Sequence, residues 1–338
     1  MAKRVVIMDL SAILLAGIKG NKSRLWNVGA YPTGGLYSIF NKICAEVKKG
    51  SIIYIAADGA PYQKKERYPE YKGDRPASTS LSRNIFKVQA LPVEKYAKDI
   101  GYKFIREAGY EADDIIYALA ALYGGDQNYK VEILSADKDL HSAKLFGDNI
   151  SLVSNTDKNK VDGNANQLWE KFLYGNKDNI PNLSKSLRSK AYQKVYDLVY
   201  NGYNIFEDTE ELVRQGFTSE EIKMIDLWYY LAMPNFPKIK EVKEKITSMD
   251  YNVQPLVDLL TAFGLNMSLK SLGKTYSDAN RNNVVAIQED MYGYLDDEVI
   301  EYFSEKDQVY LNFVYESDEI SATKVQNIID KLKRRREW

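Results

Sequence analysis

Three short strand-like runs rich in apolar and β-branched residues punctuate the first 140 positions: Arg4-Val5-Val6-Ile7-Met8, Ser51-Ile52-Ile53-Tyr54-Ile55-Ala56-Ala57 and Lys130-Val131-Glu132-Ile133-Leu134-Ser135-Ala136. Short β-branched runs of this kind are typical of strands buried on both faces. Each stops at acid: Asp9, Asp58 and Asp137-Lys138-Asp139. Between the first two, a turn at Pro32-Thr33-Gly34-Gly35 leads into helical spacing through Ile39, Ile43 and Val47, ended by Gly50. Before the third, Ile115, Ile116, Leu119, Leu122 and Tyr123 share one helical face, and the first turn of that helix carries Glu111, Asp113 and Asp114. Strands alternating with helices predict right-handed crossovers and a largely parallel sheet. The carboxyl ends of such strands form the binding crevice. Asp9, Asp58, Asp137 and Asp139 therefore fall along one edge, which the helix opening with Glu111 and Asp113 can reach.

One acid at a helix start is ordinarily a cap, and one aspartate after a strand is ordinarily a turn residue. Four strand-end acids beside an acidic helix start exceed what capping needs. Clustered carboxylates repel one another, and divalent cations are the usual remedy. The single histidine, His141, argues against a histidine-based zinc site or a Ser–His–Asp triad, and the single cysteine, Cys44, excludes an internal disulfide and fits a reducing cytoplasm. All-oxygen ligation points to Mg²⁺, with Mn²⁺ able to substitute. Two such ions about 4 Å apart are a known device for phosphodiester cleavage.

The 338 residues suffice for one large domain with a smaller one appended, and 45% apolar with 28% charged is ordinary for a globular chain. A formal net charge of −1 means that any basic surface must be local. One such stretch lies at residues 61–87, where Lys64, Lys65, Arg67, Lys72, Arg75, Arg83 and Lys87 face only three acids and are interleaved with Tyr62, Tyr68 and Tyr71. Cations with aromatics suit phosphate contact plus base stacking. Asp9 interrupts the first apolar run, and no run of about twenty apolar residues follows, so neither a secretory leader nor a membrane span is expected.

Seven stretches then occur in a recognisable order: Met8-Asp9-Leu10-Ser11, Thr33-Gly34-Gly35-Leu36-Tyr37, Ala57-Asp58-Gly59, Tyr68-Pro69-Glu70-Tyr71-Lys72-Gly73-Asp74-Arg75, Tyr110-Glu111-Ala112-Asp113-Asp114, Ala136-Asp137-Lys138-Asp139-Leu140 and Asp178-Asn179-Ile180-Pro181. In these the chain resembles the flap-endonuclease-type 5′ nucleases, which include the 5′ nuclease domain of bacterial DNA polymerases and the bacteriophage ribonuclease H. The resemblance implies a PIN-like α/β domain over residues 1–178, with a helical arch at about 61–90. A helical DNA-binding region over 179–274 and a C-terminal extension over 275–338 complete the expected division. It also implies that Asp9, Asp58, Glu111 and Asp113 serve a first metal, that Asp137, Asp139 and Asp178 serve a second, and that Asp114 lies in the outer shell. Lys72 would reach the scissile phosphate and Arg75 would assist it. Arg75 and Arg67 would steer the strand, Lys64 stands where relatives often carry arginine, and Arg83 and Lys87 of the basic stretch are further expected nucleic-acid contacts. The substrate implied is DNA or an RNA–DNA hybrid with a free 5′ end, hydrolysed by metal-activated water.

Two departures from the family pattern stand out. Gly175-Asn176-Lys177-Asp178 lacks the first aspartate of the usual motif and is one residue shorter, so a looser second metal is expected. The hairpin after Pro181, Asn182 to Lys190, carries no glycine. Lys185, Arg188 and Lys190 would then hold duplex backbone by side-chain charge, and the bacteriophage ribonuclease H, which also lacks that glycine hairpin, is the nearest relative suggested. Farther on, helical stripes such as Leu256, Leu259, Leu260 and Phe263 read as core, and 277–283 reads as a linker. An acidic helix start at 295–298, a strand at 309–315 and a basic helix from about Ala322 complete the extension. The expected whole is a monomer in the cytoplasm, of the host if the protein is viral. It would remove primers or process flaps in phage-type DNA replication, with replication proteins as partners for the extension. Two other readings stay open: a PIN-type single-stranded ribonuclease, and a catalytically weak, structure-specific DNA-binding accessory protein.

Overall fold

The computed structural model describes residues 2–20, 27–73, 79–154, 167–175, 180–200, 209–234 and 242–304. Strand β1 (Lys3–Asp9) runs into helix α1 (Leu10–Gly20). A short hairpin, β2 (Asn27–Val28) and β3 (Tyr31–Pro32), precedes α2 (Gly34–Lys48) and β4 (Ile52–Ala56). Then come α3 (Tyr62–Arg67), α4 (Ser80–Lys95), α5 (Ala97–Ile100) and β5 (Lys103–Ile105). Helix α6 (Ala112–Tyr123) leads to β6 (Tyr129–Leu134), a 3₁₀ segment over Lys138–Phe146, and β7 (Ile150–Val153). The sheet order is β5-β4-β1-β6-β7, with every pairing parallel. The expected α/β architecture is therefore present. The chain fills one side of β1 with β4 and β5, then returns to the other side with β6, so the topological switch falls at β1, where α/β sheets open their crevice.

Alternation along the strands divides the core in two. Val6, Met8, Ile53 and Ile55 face a layer formed by α1, α2 and α4, while Val5, Ile7, Tyr54, Val131 and Ile133 face α6. Burial on both faces explains why β1 and β4 read as apolar runs, whereas β6 alternates, with Lys130 exposed and Glu132 half-buried. The start of α2 is held by a distant side chain, since Gln89 Oε1 on α4 accepts from the backbone N–H of Gly35 at 2.7 Å and of Leu36 at 3.3 Å. Within the expected arch, residues 80–90 thus belong to a core helix, with Ile85, Val88 and Ala90 buried.

A third cluster gathers α7 (Gln167–Tyr174), α8 (Leu183–Ser186), α9 (Ser189–Tyr200), α10 (Thr209–Arg214) and α11 (Ser219–Ala232) around Phe172, Leu183, Val195, Ile225 and Leu231, and Tyr71 is buried in it. The remaining helices, α12 (Val253–Ala262), α13 (Asn266–Ser271), α14 (Arg281–Tyr292) and α15 (Asp297–Ser304), follow a different course. The stripe Leu256, Leu259, Leu260 and Phe263 is core, as expected, but it joins the cluster of α1, α2 and α4 together with Ile287, Met291 and Ile300. The expected linker at 277–283 is structured instead: Tyr276–Asp278 forms a 3₁₀ turn, and Asn280 caps α14 by accepting from the N–H of Asn282 at 3.1 Å. The expected acidic start over 295–298 opens α15, with Asp296 accepting from the N–H of Val299 at 2.9 Å. The expected strand at 309–315 and the basic helix beyond it lie outside the described residues. Among the described residues, no helix is long and apolar enough to cross a membrane.

Candidate active site

The ends of β1, β4 and β6 and the first turn of α6 meet around a cavity of about 350 Å³. Asp9, Asp58, Glu111, Asp113, Asp114, Asp137 and Asp139 all line it, with Lys64, Lys72 and Lys171. Seven of the eight expected carboxylates thus line one cavity, and the expected Lys72 lines it with them. Asp178 and Arg75 lie outside the described residues.

Each carboxylate is aimed by local backbone. Asp9, 6% exposed, accepts from the N–H of Ala12 at 3.0 Å and from the Ser135 hydroxyl at 2.7 Å. Asp58 accepts from the Ser11 hydroxyl at 2.6 Å and from the N–H of Ala112 at 3.0 Å, which ties β4 to the start of α6. Gly59 permits that tie: a Cβ there would stand 2.0 Å from the Glu107 carbonyl. Asp137 caps the 3₁₀ segment, accepting from the N–H of Asp139 at 2.9 Å. Asp114, expected in the outer shell, is buried and accepts from the N–H of Glu111 at 2.9 Å, so it braces the helix start.

Glu111 lies where the cations converge. It is buried and accepts from Lys64 at 2.8 Å, from the Tyr71 hydroxyl at 3.0 Å and from Lys72. Burial alone would raise its carboxyl, but Lys64 and Lys72 hold it down at about 2. The opposite holds for its neighbours. Burial, followed by the charges of Asp58 and Asp137, pushes the Asp9 carboxyl up to about 6. Burial and the charges of Asp137, Asp9 and Glu111 push Asp113 well above the usual carboxylate range. Among the described residues no three acidic side chains stand ready as a metal-ligating group. The chemistry of the donor set nonetheless fits a hard divalent cation: it offers only carboxylates, two of them raised by burial and then by their neighbours' charge.

The expected nucleic-acid contacts divide. Lys64 sits among the acids, buried against Glu111, rather than on the approach to them. Arg67 is outside the cavity lining, 2.7 Å from Asp226 and stacked 4.1 Å over Tyr230. Arg83 and Lys87 are exposed on α4, away from the lining. Lys185, Arg188 and Lys190 are exposed on the α8–α9 hairpin, where Arg188 makes a two-pronged contact with Glu221 at 2.7 and 2.8 Å.

Sequence reasoning missed Ser11, Ser135 and Lys171. The two serines were visible as neighbours of strand-end acids. Lys171 gave a fainter signal, a lysine three residues after Leu168 on a helix face that lines the same cavity.

Residues 5–173 match the family described as "5′-3′ exonuclease, N-terminal resolvase-like domain", and the chain belongs to that family. It is thus a nuclease, a phosphodiester hydrolase. The chain is 26% identical over 273 residues to a 5′-3′ exonuclease of Aquifex aeolicus (strain VF5), covering 75% of this chain and 90% of that protein. It is 30% identical over 201 residues to a 5′-3′ exonuclease of Buchnera aphidicola subsp. Schizaphis graminum, covering 54% of this chain and 67% of that one. Among solved structures it is similar to T5 5′-exonuclease with bound divalent zinc ions, at 16% identity and a TM-score of 0.44, over 87% of this chain and 100% of that one.

Proposed function

We propose that this nuclease is a divalent-metal-dependent 5′ nuclease, with Mg²⁺ as its ion, acting on DNA or RNA–DNA hybrid with a free 5′ end. The observation that carries the reading is the convergence of Asp9, Asp58, Asp113 and Asp137 on one cavity whose wall also presents Lys64 and Lys72. Asp9, Asp58, Glu111 and Asp113 would hold a first ion, and Asp137, Asp139 and Asp178 a second. Bound there, the metal supplies Lewis-acid polarisation of the phosphate and a lowered pKa for attacking water.

The chain's own groups do the rest. Ser11, Ser135 and the N–H groups of Ala12 and Ala112 fix the carboxylates in advance of substrate. Lys72 is the group suited to the scissile phosphate, since its ammonium already lies in the cavity and exchanges a carboxylate oxygen of Glu111 for a phosphate oxygen. Arg75 assists it. Lys64 and Tyr71 keep Glu111 oriented during that exchange. Leu15, Leu168, Met233 and Pro234 supply apolar lining that limits water around the reacting group. Arg67, Arg83, Lys87, Lys185, Arg188 and Lys190 are phosphate contacts along the approaching nucleic acid.

The biological role that fits is primer removal and flap processing in DNA replication by a cytoplasmic monomer, with residues 275–338 meeting replication proteins. Parallel digestion of a 5′-labelled flap, a nicked RNA–DNA hybrid and single-stranded RNA, with Mg²⁺ and with chelator, tests it. Cleavage of the flap and hybrid in Mg²⁺ alone is expected. Full activity in chelator would remove the metal, and cleavage of the single-stranded RNA only would make this a ribonuclease.

A further inference from the structure

Lys171 occupies a place in the site that nothing in the strand-end pattern calls for. Its Nζ lies 2.7 Å from Asp139 Oδ2, with the lysine side chain 10% exposed and the aspartate 24%. Both partners are held from behind. The backbone of Asp139 accepts from the Tyr117 hydroxyl at 2.6 Å, and its N–H is bound to Asp137. Helix α7 is anchored by Phe172 and Leu173, both wholly buried, and by the N–H of Leu168 donating to the Ser142 hydroxyl at 3.2 Å. A lysine so placed, one-tenth exposed in the wall of an acidic cavity, is not a solvated surface charge.

The three lysines of the cavity therefore have different stations. Lys64 and Lys72 share Glu111, and Lys171 alone serves the β6 end. Asp9, Asp58, Asp113 and Asp137 have no lysine or arginine among the ion pairs recorded for the described residues. We propose that Lys171 is a resident cation of the site: in the protein free of nucleic acid its ammonium stands in for the second divalent ion at Asp139, so that the free protein holds one divalent ion tightly and the second only weakly. Lys171 is accordingly a positioning residue, which holds the Asp139 carboxylate in place and sets the metal count. The inference rests on the metal-dependent reading above.

The test uses the full chain without nucleic acid, titrated with Mn²⁺ and followed by calorimetry and by the electron paramagnetic resonance of free and bound ion. Wild type should bind one Mn²⁺ tightly. Lys171→Met keeps the length and apolar stem of the side chain and removes its charge. It should add a second ion or tighten the second at least about ten-fold, because a unit charge a few ångströms away in a partly buried site is strongly felt. Spin coupling between two ions should then appear. Lys171→Arg should stay at one ion, and Asp139→Asn in the Lys171→Met background should return the count to one. Two tight ions in wild type, or a second ion changed less than about threefold by Lys171→Met, would overturn the proposal. No tight Mn²⁺ in wild type and in every variant would instead sink the metal reading itself, and the proposal with it. Circular dichroism of each variant separates these results from misfolding. If Lys171→Met does not fold, Lys171→Gln carries the same comparison.

Discussion

Replacing Asp9 with asparagine should stabilise the metal-free protein, although it removes a charge that accepts two hydrogen bonds. The carboxyl is buried at the end of the central strand, and burial with the charges of Asp58 and Asp137 raises it from 3.8 to about 6. The sign follows from linkage. Between pH 3.8 and about 6 the unfolded chain has released this proton while the folded chain still holds it, so stability falls as pH rises. Its contribution is fully present below 3.8 and lost above about 6. A difference of roughly two pH units at about 1.4 kcal/mol each amounts to about 3 kcal/mol at pH 7.5. Asparagine never carries that charge. Its Oδ1 can keep the N–H of Ala12, and its amide can donate to Ser135 Oγ, which now donates to Asp9 and also accepts from the N–H of Asp137.

Urea unfolding in chelator at pH 4 and pH 7.5 measures the difference. Asp9→Asn should gain up to about 3 kcal/mol over wild type at pH 7.5 and nearly nothing at pH 4. Millimolar Mg²⁺ should then restore wild type more than the variant, since an ion that binds only the folded state stabilises it by mass action. A variant less stable at both pH values would refute the reasoning. Asp9 would then be a hydrogen-bonding strut, and the acids would not be waiting for a cation.

Three further outcomes are expected. Lys72 has φ +56°, a left-handed conformation that disfavours a side chain, so Lys72→Gly should be more stable than Lys72→Ala by about 1 kcal/mol; both should lower single-turnover cleavage about 10²–10³-fold, as loss of a transition-state contact does. The hydrogen bond from Arg188 holds the Glu221 carboxyl at about 2, so this pair's contribution is present above pH 4.5 and lost as pH falls toward 2; acid unfolding of Glu221→Gln should be shallower across that window. Lys185→Ala and Lys190→Ala should each flatten the salt dependence of duplex binding by about one counterion, and Arg188→Ala by less, because Arg188 already has an anion in Glu221.

The acids were legible in the sequence because they interrupt strands, and an apolar run that stops at aspartate marks both the element and its end. Edge strands gave no such signal: β5 is three residues long and β7 four, too short for a period to be read. The Asn/Asp/Ser-rich stretch at 277–283 was misread because loops and helix caps draw on the same residues, and here Asn280 caps α14. An amphipathic stripe tells that a helix is buried but not against what. Leu256 and Phe263 therefore read correctly as core while their docking on α1, α2 and α4 did not follow. Lysine partners were the hardest to see. Lys64 and Lys171 are 47 and 32 residues from the acids they meet, and in a list of residues a buried lysine looks the same as a solvated one.

Those lysines bear on how the site is put together. Glu111 closes on Lys64, Lys72 and the hydroxyl of Tyr71, while the ring of Tyr71 is buried in the third cluster with Phe172 and Trp228. The acids come from the sheet and α6, but the groups that neutralise Glu111 and Asp139 come from α3, the turn after it and α7. Neither half is electrostatically complete alone. Sheet-edge carboxylates without these lysines would repel one another, and lysines buried at this depth without carboxylates would lose their charge. The charge balance of the site is therefore set across a packing boundary. A substitution in the third cluster, far from any carboxylate, can change which cations the acids accept without altering the acids themselves.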